Sequence, residues 1–439
     1  MYPLSLPLEL VQNISGQADI SDVKSLRLVC KAFAEVAAGD LFYCLVIDMN
    51  NLKPQNGFDI LLSLASDGSH PARTATRELS IQRIDLDEPV EVTSFLIPAL
   101  KSLGNLKKLR LCYLFTELDW IYTPVLECLK PMMPRITALE VSLIYADPQM
   151  PDDKTKAFTA LLNSAQISRL TSFAIDSSRG GGPRQDIGSH LPTAALSVIE
   201  KSSSHLQSLA FRMPSLGPLK NTSTPTTLQT IFGPSTRSSF AVLTHLTISD
   251  EIICNMRSST PTVPQLNSLK HLTCMPQMTT TIDFEPPIVG NQQPTFDFWT
   301  ALANTGVRLQ SIKGARATRE LFHYLESYSG ELQELHIKCY RAHNDGKDKW
   351  QDLGEELWNR IVPLHHTSLR ILQIRSNCDG WWSFGPLTQD VFQIHAFPEL
   401  EELTLNVHKP PKSSADSQTG YVLSWILSLN QSYTAPSES

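Results

Sequence analysis

Residues 106–111 read LKKLRL, residues 332–337 read LQELHI, residues 369–374 read LRILQI and residues 400–405 read LEELTL. In each, apolar side chains take the first, fourth and sixth positions. The alternation over the last three is that of a strand with one buried face. Looser versions begin at Thr76, Ile136, Leu170, Leu206, Leu243, Leu269 and Leu309, so the unit recurs eleven times between residues 76 and 405. Segments with helical spacing lie between them: Phe58 to Ala65, Val92 to Leu103, Thr155 to Leu162, Ala194 to Ile199, Phe298 to Ala303, Arg319 to Tyr328 and Leu353 to Val362. A short strand and a helix repeated along the chain predict an α/β solenoid, a horseshoe whose strands form a parallel concave sheet. Each repeat turns its leucines inward because one unit cannot bury its apolar face alone. The weakest members are the first, which opens on Thr76, and the eighth, where Gly314 replaces the third apolar residue.

Successive units start 30, 30, 34, 36, 37, 26, 40, 23, 37 and 31 residues apart. Regular leucine-rich repeats have periods of roughly 20–29 residues, so the array predicted over residues 51–430 is an irregular one. The competing reading is that some matches are ordinary buried strands of a mixed α/β domain. Stretches rich in Ser, Thr, Pro and Gly at 177–192, 214–236, 257–265, 276–294 and 409–419 are expected to be exposed loops, some of them disordered, and 431–439 a disordered tail.

Ahead of the repeats, residues 4–45 read LSLPLELVQNISGQADISDVKSLRLVCKAFAEVAAGDLFYCL. Pro7 suits the first turn of a helix, Glu9 favours its positive end, and Gly16 offers a left-handed stop. Asp19 is placed to cap a second helix carrying Val23, Leu26, Val29 and Cys30 at helical spacing. A third run, Lys31 to Ala38, is expected to stop at Gly39. Three short amphipathic helices bury little surface by themselves, so such a unit leans on a partner or on the rest of its chain.

Leu6-Pro7-Leu8-Glu9-Leu10, then Ile14, Asp22-Val23, the helix Leu26-Arg27-Leu28-Val29-Cys30-Lys31-Ala32-Phe33 and the closing Leu41-Phe42 together resemble the F-box pattern. Phe33 stands where many members of that family have Trp, which keeps an aromatic anchor. The resemblance implies a three-helix F-box over residues 1–50. It also implies that Leu6, Pro7, Leu8, Ile14, Leu26, Leu28, Val29, Cys30 and Phe33, with Glu9 and Lys31 at the rim, contact a Skp adaptor. The chain as a whole is similar to fungal-type F-box proteins with irregular leucine-rich repeats. That likeness implies a non-catalytic substrate receptor of an SCF ubiquitin ligase, tied to the Skp adaptor and cullin scaffold at one end and to a protein substrate at the other. The alternative is a leucine-rich-repeat scaffold or sensor whose N-terminal helices cap the array and recruit no ligase.

Composition narrows the partners. A net charge of −7 and a sequence pI near 6.0 argue against nonspecific attraction to nucleic acid, which needs a cationic surface. No leader-like segment opens the sequence and no run of apolar residues is long enough to span a bilayer, so a cytoplasmic or nuclear setting without membrane contact is expected. Eight widely spaced cysteines, mostly within apolar runs, read as reduced buried thiols. No cofactor is expected. The glycine-rich run Arg179 to Arg184 lacks the ending of a phosphate-binding loop, and His365-His366 with Cys378 fall short of a four-ligand metal set.

For substrate, the predicted concave face carries Arg110, Glu140, Asp176, Arg212, Thr247, Ser249, His336, Lys338, Gln373, Arg375, Thr404 and Asn406. Its C-terminal part leans basic through His336, Lys338 and Arg375, with Arg341 close by, which would suit an acidic or phosphorylated segment; a plain solvated strand face is the other reading. Trp381 and Trp382 follow a turn-like Asn377 to Gly380. They are read either as exposed anchors for a partner or as aromatics folded back to plug the core.

Overall fold

A computed structural model describes residues 8–26, 28–29, 31–48, 57–66, 68, 70–82, 89–114, 119–144, 159–163, 167–176, 190–212, 231–232, 240–249, 253, 266–275, 298–339, 347–376 and 381–406. The expected loops and the tail fall largely outside these residues, except that 190–192 already belong to a helix and that Ile231 and Phe232, within an expected exposed loop, are helical and buried.

Three helices open the chain: α1 (Leu8–Gln17), α2 (Ile20–Leu26) and α3 (Lys31–Leu41). Val11, Val23, Phe33 and Ala37, one or two from each helix, are buried and make their common core. The glycine stops expected from the sequence are not used. α1 runs through Gly16 to Gln17, and α3 runs through Gly39 to Leu41. α2 begins one residue after Asp19, whose carbonyl accepts the N–H groups of Asp22 and Val23.

The chain divides into two compact units: the first holds these helices and the first seven strands, and the second starts with the eighth strand. In the first, β1 (Cys44–Ile47), β2 (Glu78–Ile81), β3 (Lys108–Leu114), β4 (Ala138–Ile144), β5 (Ser172–Asp176), β6 (Ser208–Arg212) and β7 (His245–Ser249) lie side by side in chain order, every neighbouring pair parallel. In the second, β8 (His271–Met275), β9 (Ser311–Arg316), β10 (Glu334–Cys339), β11 (Ile371–Ser376) and β12 (Glu402–Leu405) do the same. All eleven repeat motifs therefore become strands. β1 is the twelfth; Phe42, Leu45 and Ile47 give it the same spacing, which the sequence reading did not count.

One contact recurs from repeat to repeat. The residue just before each strand offers its carbonyl to two successive N–H groups of the next repeat. Tyr43, Arg77, Lys107, Thr137, Thr171 and Gln207 do this in the first unit, and Lys270, Gln310, Gln333 and Arg370 in the second, at 2.7–3.2 Å. Side-chain hydroxyls of Thr137, Thr171 and Thr244 donate to the same carbonyls. Residues in register face the same way, so Leu79, Leu109, Leu139, Phe173, Leu209 and Leu246 line up as one buried row, as do Leu272, Ile312, Leu335 and Leu372. Burying each such side chain is worth about 1.5–3 kcal/mol.

Helices cover the apolar face. In the first unit they are α4 (Gly57–Ser66), α5 (Ala72–Ala75), α6 (Pro89–Ser102), α7 (Asp119–Leu129), continued by a 3-10 turn (Lys130–Arg135), and α8 (His190–Ser202). In the second they are α9 (Phe298–Thr305), α10 (Arg319–Glu326), α11 (Lys347–Glu356) and α12 (Pro386–Ile394). α11 runs on through a π turn, Leu357–Ile361, to Leu364. The α5, α7 and α12 segments were not expected: α5 is one turn long, and α7 and α12 carry prolines.

Both weak repeats hold for local reasons. Thr76 is fully buried, and its hydroxyl donates to the Phe42 carbonyl at 2.9 Å, so a polar residue fills a leucine position without an unmet hydrogen bond. At the eighth, β9 carries a bulge. Leu335 pairs with Ile312 and Ile337 with Ala315, so His336 alone stands opposite both Lys313 and Gly314, and buried Ala315 takes the inward position. Gly314 has φ +70°, and a Cβ there would lie 2.5 Å from the Cys274 carbonyl oxygen; glycine is required twice over.

The core of the second unit includes a polar thread. The Tyr324 hydroxyl donates to the Val307 carbonyl and accepts the Leu309 N–H, both at 3.0 Å, and the Tyr328 hydroxyl donates to the Leu309 carbonyl at 2.9 Å. His365, buried against the Tyr328 ring, donates from Nε2 to the Leu325 carbonyl at 3.1 Å, while its Nδ1 meets no partner among the described residues. Burial pushes its pKa down to about 4, the Leu325 hydrogen bond opposing. The unfolded chain takes up a proton below its ordinary value near 6.5 that the folded one refuses, so this residue's contribution is intact above that value and is lost as pH falls toward 4. Chemical denaturation at pH 7 and pH 4.5 is expected to show a fall in stability that is smaller in His365→Gln by about 2–3 kcal/mol.

Candidate functional site

The N-terminal helices present two sets of apolar residues. Among the described residues Val11, Val23, Phe33 and Ala37 fill their core, yet Leu28 and Val29, in the turn between α2 and α3, are 79% and 67% exposed. Leu10 and Ile14, one turn apart on a single face of α1, are also largely open to solvent. Among the other residues singled out from the sequence, Glu9 is exposed and Leu26 half-buried. Leu8 and Lys31 lie in helices whose side chains at those positions are outside the described residues, as are Leu6, Pro7 and Cys30 altogether. Phe33 needs correction: at 7% exposure it belongs to the internal core and offers no open anchor. Leu10, not chosen as a contact from the sequence, is the exposed neighbour that helical spacing from Ile14 would have found.

The polar faces of the two sheets differ in how their charges are matched. In the first unit Lys108 meets Glu78 at 3.1 Å, Arg110 meets Glu140 at 2.9 Å, and Arg212 meets Asp176 at 3.2 Å, each across neighbouring strands in register. In the second, Lys313, His336, Lys338 and Arg375 converge with Gly314 and Gln373 around a depression of about 180 Å³. Lys313 is held by Glu334 at 2.8 Å, and Glu334 also accepts the Ser311 hydroxyl at 2.6 Å. Burial works against ionisation of Glu334, but these two donors still hold its carboxyl below the usual range. His336 is kept neutral, chiefly by burial and then by Lys313, and its Nε2 has no hydrogen-bond partner among the described residues. Sequence reading named His336, Lys338 and Arg375 but missed Lys313, which holds the ordinary outward position after Ile312, and Gly314, which the bulge adds. Arg341 lies outside the described residues.

The tryptophans separate. Trp382 is 1% exposed and donates from Nε1 to the Trp350 carbonyl at 2.8 Å, so it plugs the core and is withdrawn as a surface contact. Trp381 stays partly exposed, while its carbonyl accepts the Trp358 indole N–H at 2.8 Å. The described cysteines, Cys44, Cys112, Cys128, Cys274 and Cys339, form no disulfide with one another. No group of three or more metal-ligating side chains occurs among the described residues, and no described helix is long and apolar enough to cross a membrane.

Residues 3–45 match the family model of the F-box domain. The chain opens with an F-box. No curated protein matches the chain. Among solved structures, the crystal structure of a TLR13–ssRNA13 complex is similar at 12% identity with a TM-score of 0.33, the match covering 77% of this chain and 43% of that one. The chain thus spans less than half the length of that neighbour.

Within the F-box, a polar contact ties two of the helices: Ser15 on α1, buried, donates to the Asp40 carboxylate on α3 at 2.6 Å. A hydrogen bond to a charged acceptor is worth about 1.5–3 kcal/mol. Ser15→Ala is expected to loosen α1 from α3, seen as faster amide hydrogen exchange in residues 8–17 with the strands of both units unchanged.

Proposed function

We propose that the protein is the substrate-recognition subunit of an SCF-type ubiquitin ligase: residues 1–50 dock on the Skp adaptor, and through it on the cullin scaffold, while the repeat region, 51–430, holds a protein substrate. It is not itself catalytic in this reading. It raises the local concentration of substrate lysines near a conjugating enzyme bound elsewhere in the assembly, working in the cytoplasm or nucleus.

The observation that carries the reading is the F-box match together with Leu28 and Val29 standing in solvent beside a core that is already filled. F-box domains bind the Skp adaptor, and large apolar side chains left outside a finished core are the usual mark of an interface. A helical cap serving only the repeats would turn such residues toward them. We assign Leu10, Ile14, Leu28 and Val29 to the adaptor contact, with Glu9 at its rim, and Leu6, Pro7, Leu8, Cys30 and Lys31 by their places in the F-box pattern.

The test is a pull-down with purified Skp adaptor, comparing wild type with Leu28→Glu/Val29→Glu. Both positions are exposed, so the variant is expected to keep the wild-type thermal transition. Its adaptor affinity should fall by at least about tenfold, since two truncated anchors cost more than 1.4 kcal/mol. A wild-type chain that fails to retain the adaptor would leave the scaffold reading standing instead.

A further inference from the structure

The last repeat of the second unit is open where its neighbours are sealed. Leu332, Leu335 and Ile337 of the β10 repeat and Leu369, Leu372 and Ile374 of the β11 repeat are all at most 1% exposed. The same positions of the β12 repeat, Leu400, Leu403 and Leu405, are only half-buried. Register is not the cause: Leu403 pairs with Leu372 and Leu405 with Ile374, so both continue the inward rows. Beside them Ile394, in the last turn of α12, is 74% exposed. α12 leans on the repeat before it, its Phe392 ring lying 6.2 Å from that of Trp358, and Ile394 is left outside that contact.

A covering helix is the element that the last repeat still needs. After β9, β10 and β11 the chain enters α10, α11 and α12, and each helix buries apolar side chains, among them Leu321 in α10, Leu353 in α11 and Val391 in α12. After β12 come the polar residues 409–419 and then Tyr421-Val422-Leu423-Ser424-Trp425-Ile426-Leu427-Ser428-Leu429, a run without a charge. At helical spacing Ser424 and Ser428 share one side, and Val422, Leu423, Ile426 and Leu429 spread over the other. The run lies outside the described residues, at the place in the chain where the repeat order puts a helix.

We propose that residues 421–429 dock over Leu400, Leu403, Leu405 and Ile394 as the covering helix of the last repeat. A repeat buries its apolar face against its neighbours, so the terminal one requires a dedicated cover. Residues 406–420 supply the return, since an extended chain advances about 3.3 Å per residue. The tether also selects the occupant: a segment on a short linker has an effective concentration of about millimolar, far above that of a second copy in solution. The inference concerns the repeat region and holds whether or not the F-box recruits a ligase.

Two measurements on the full chain test it. In the first, a benzophenone photo-cross-linker replaces Ile394, whose side chain stands mostly in solvent, so the fold is kept. Illumination is expected to join it to a peptide from 421–429 of the same chain. In the second, amide hydrogen exchange is followed in Glu402–Leu405. Leu423→Asp/Ile426→Asp should speed it by at least about tenfold while β9 and β10 stay protected, and Ser424→Asp/Ser428→Asp, on the opposite helical side, should leave it as in wild type. A cross-link between two chains would give the surface to a second copy and overturn the proposal. So would a cross-link that misses 421–429, no cross-link at all, exchange in β12 that ignores Leu423→Asp/Ile426→Asp, or a serine variant as disruptive as the apolar one.

Discussion

A strand holds none of its own hydrogen bonds. Its N–H and C=O groups point sideways and must be met by a neighbour, and in a parallel pair that neighbour comes from another part of the chain. Everything in this protein after the F-box follows from meeting that demand with the next repeat. The carbonyl one residue ahead of each strand, such as that of Lys107 or Gln333, takes two N–H groups from the repeat that follows, and so sets both its register and its starting point. Between these fixed points the chain is free to vary, which is how steps of 23 residues and of 40 residues can serve the same sheet. The helices bury the leucine rows, but they need not match one another in length because the ladder, not the helix, keeps the spacing.

This explains why the strands were legible and the helices only partly so. A strand in the array must put apolar side chains at two alternating positions facing the core, and that leaves a mark in the sequence whatever the loop length. β1 escaped because its apolar positions, Phe42, Leu45 and Ile47, follow directly on α3, so it looked like the end of the F-box. Gly314 was read as a flaw for a related reason. A bulge shifts the inward position by one residue, from Gly314 to Ala315, and a pattern counted at fixed spacing sees the glycine alone. Glycine misled again at Gly16 and Gly39, where the chain stays helical for one and for two residues more.

For the surfaces, residue type could be read but pairing could not. Arg110, Arg212, Lys338 and Arg375 are equivalent on paper. Only register shows that Glu140 sits opposite the first and Asp176 opposite the second, while Lys338 and Arg375 have each other for neighbours. In the same way Phe33 and Leu28 both fit the F-box pattern, and packing alone shows that one fills the core and the other faces water. Trp381 and Trp382 are adjacent and alike, yet an indole hydrogen bond to Trp350 draws one inside.

Because each described strand within a unit bonds only to those immediately before and after it, the order of the sheet is also the order of synthesis. A strand leaving the ribosome finds its template already in place and never waits for sequence still to be translated. The newest edge is always the one about to be covered, so each new strand is open to aggregation only until the next repeat is made.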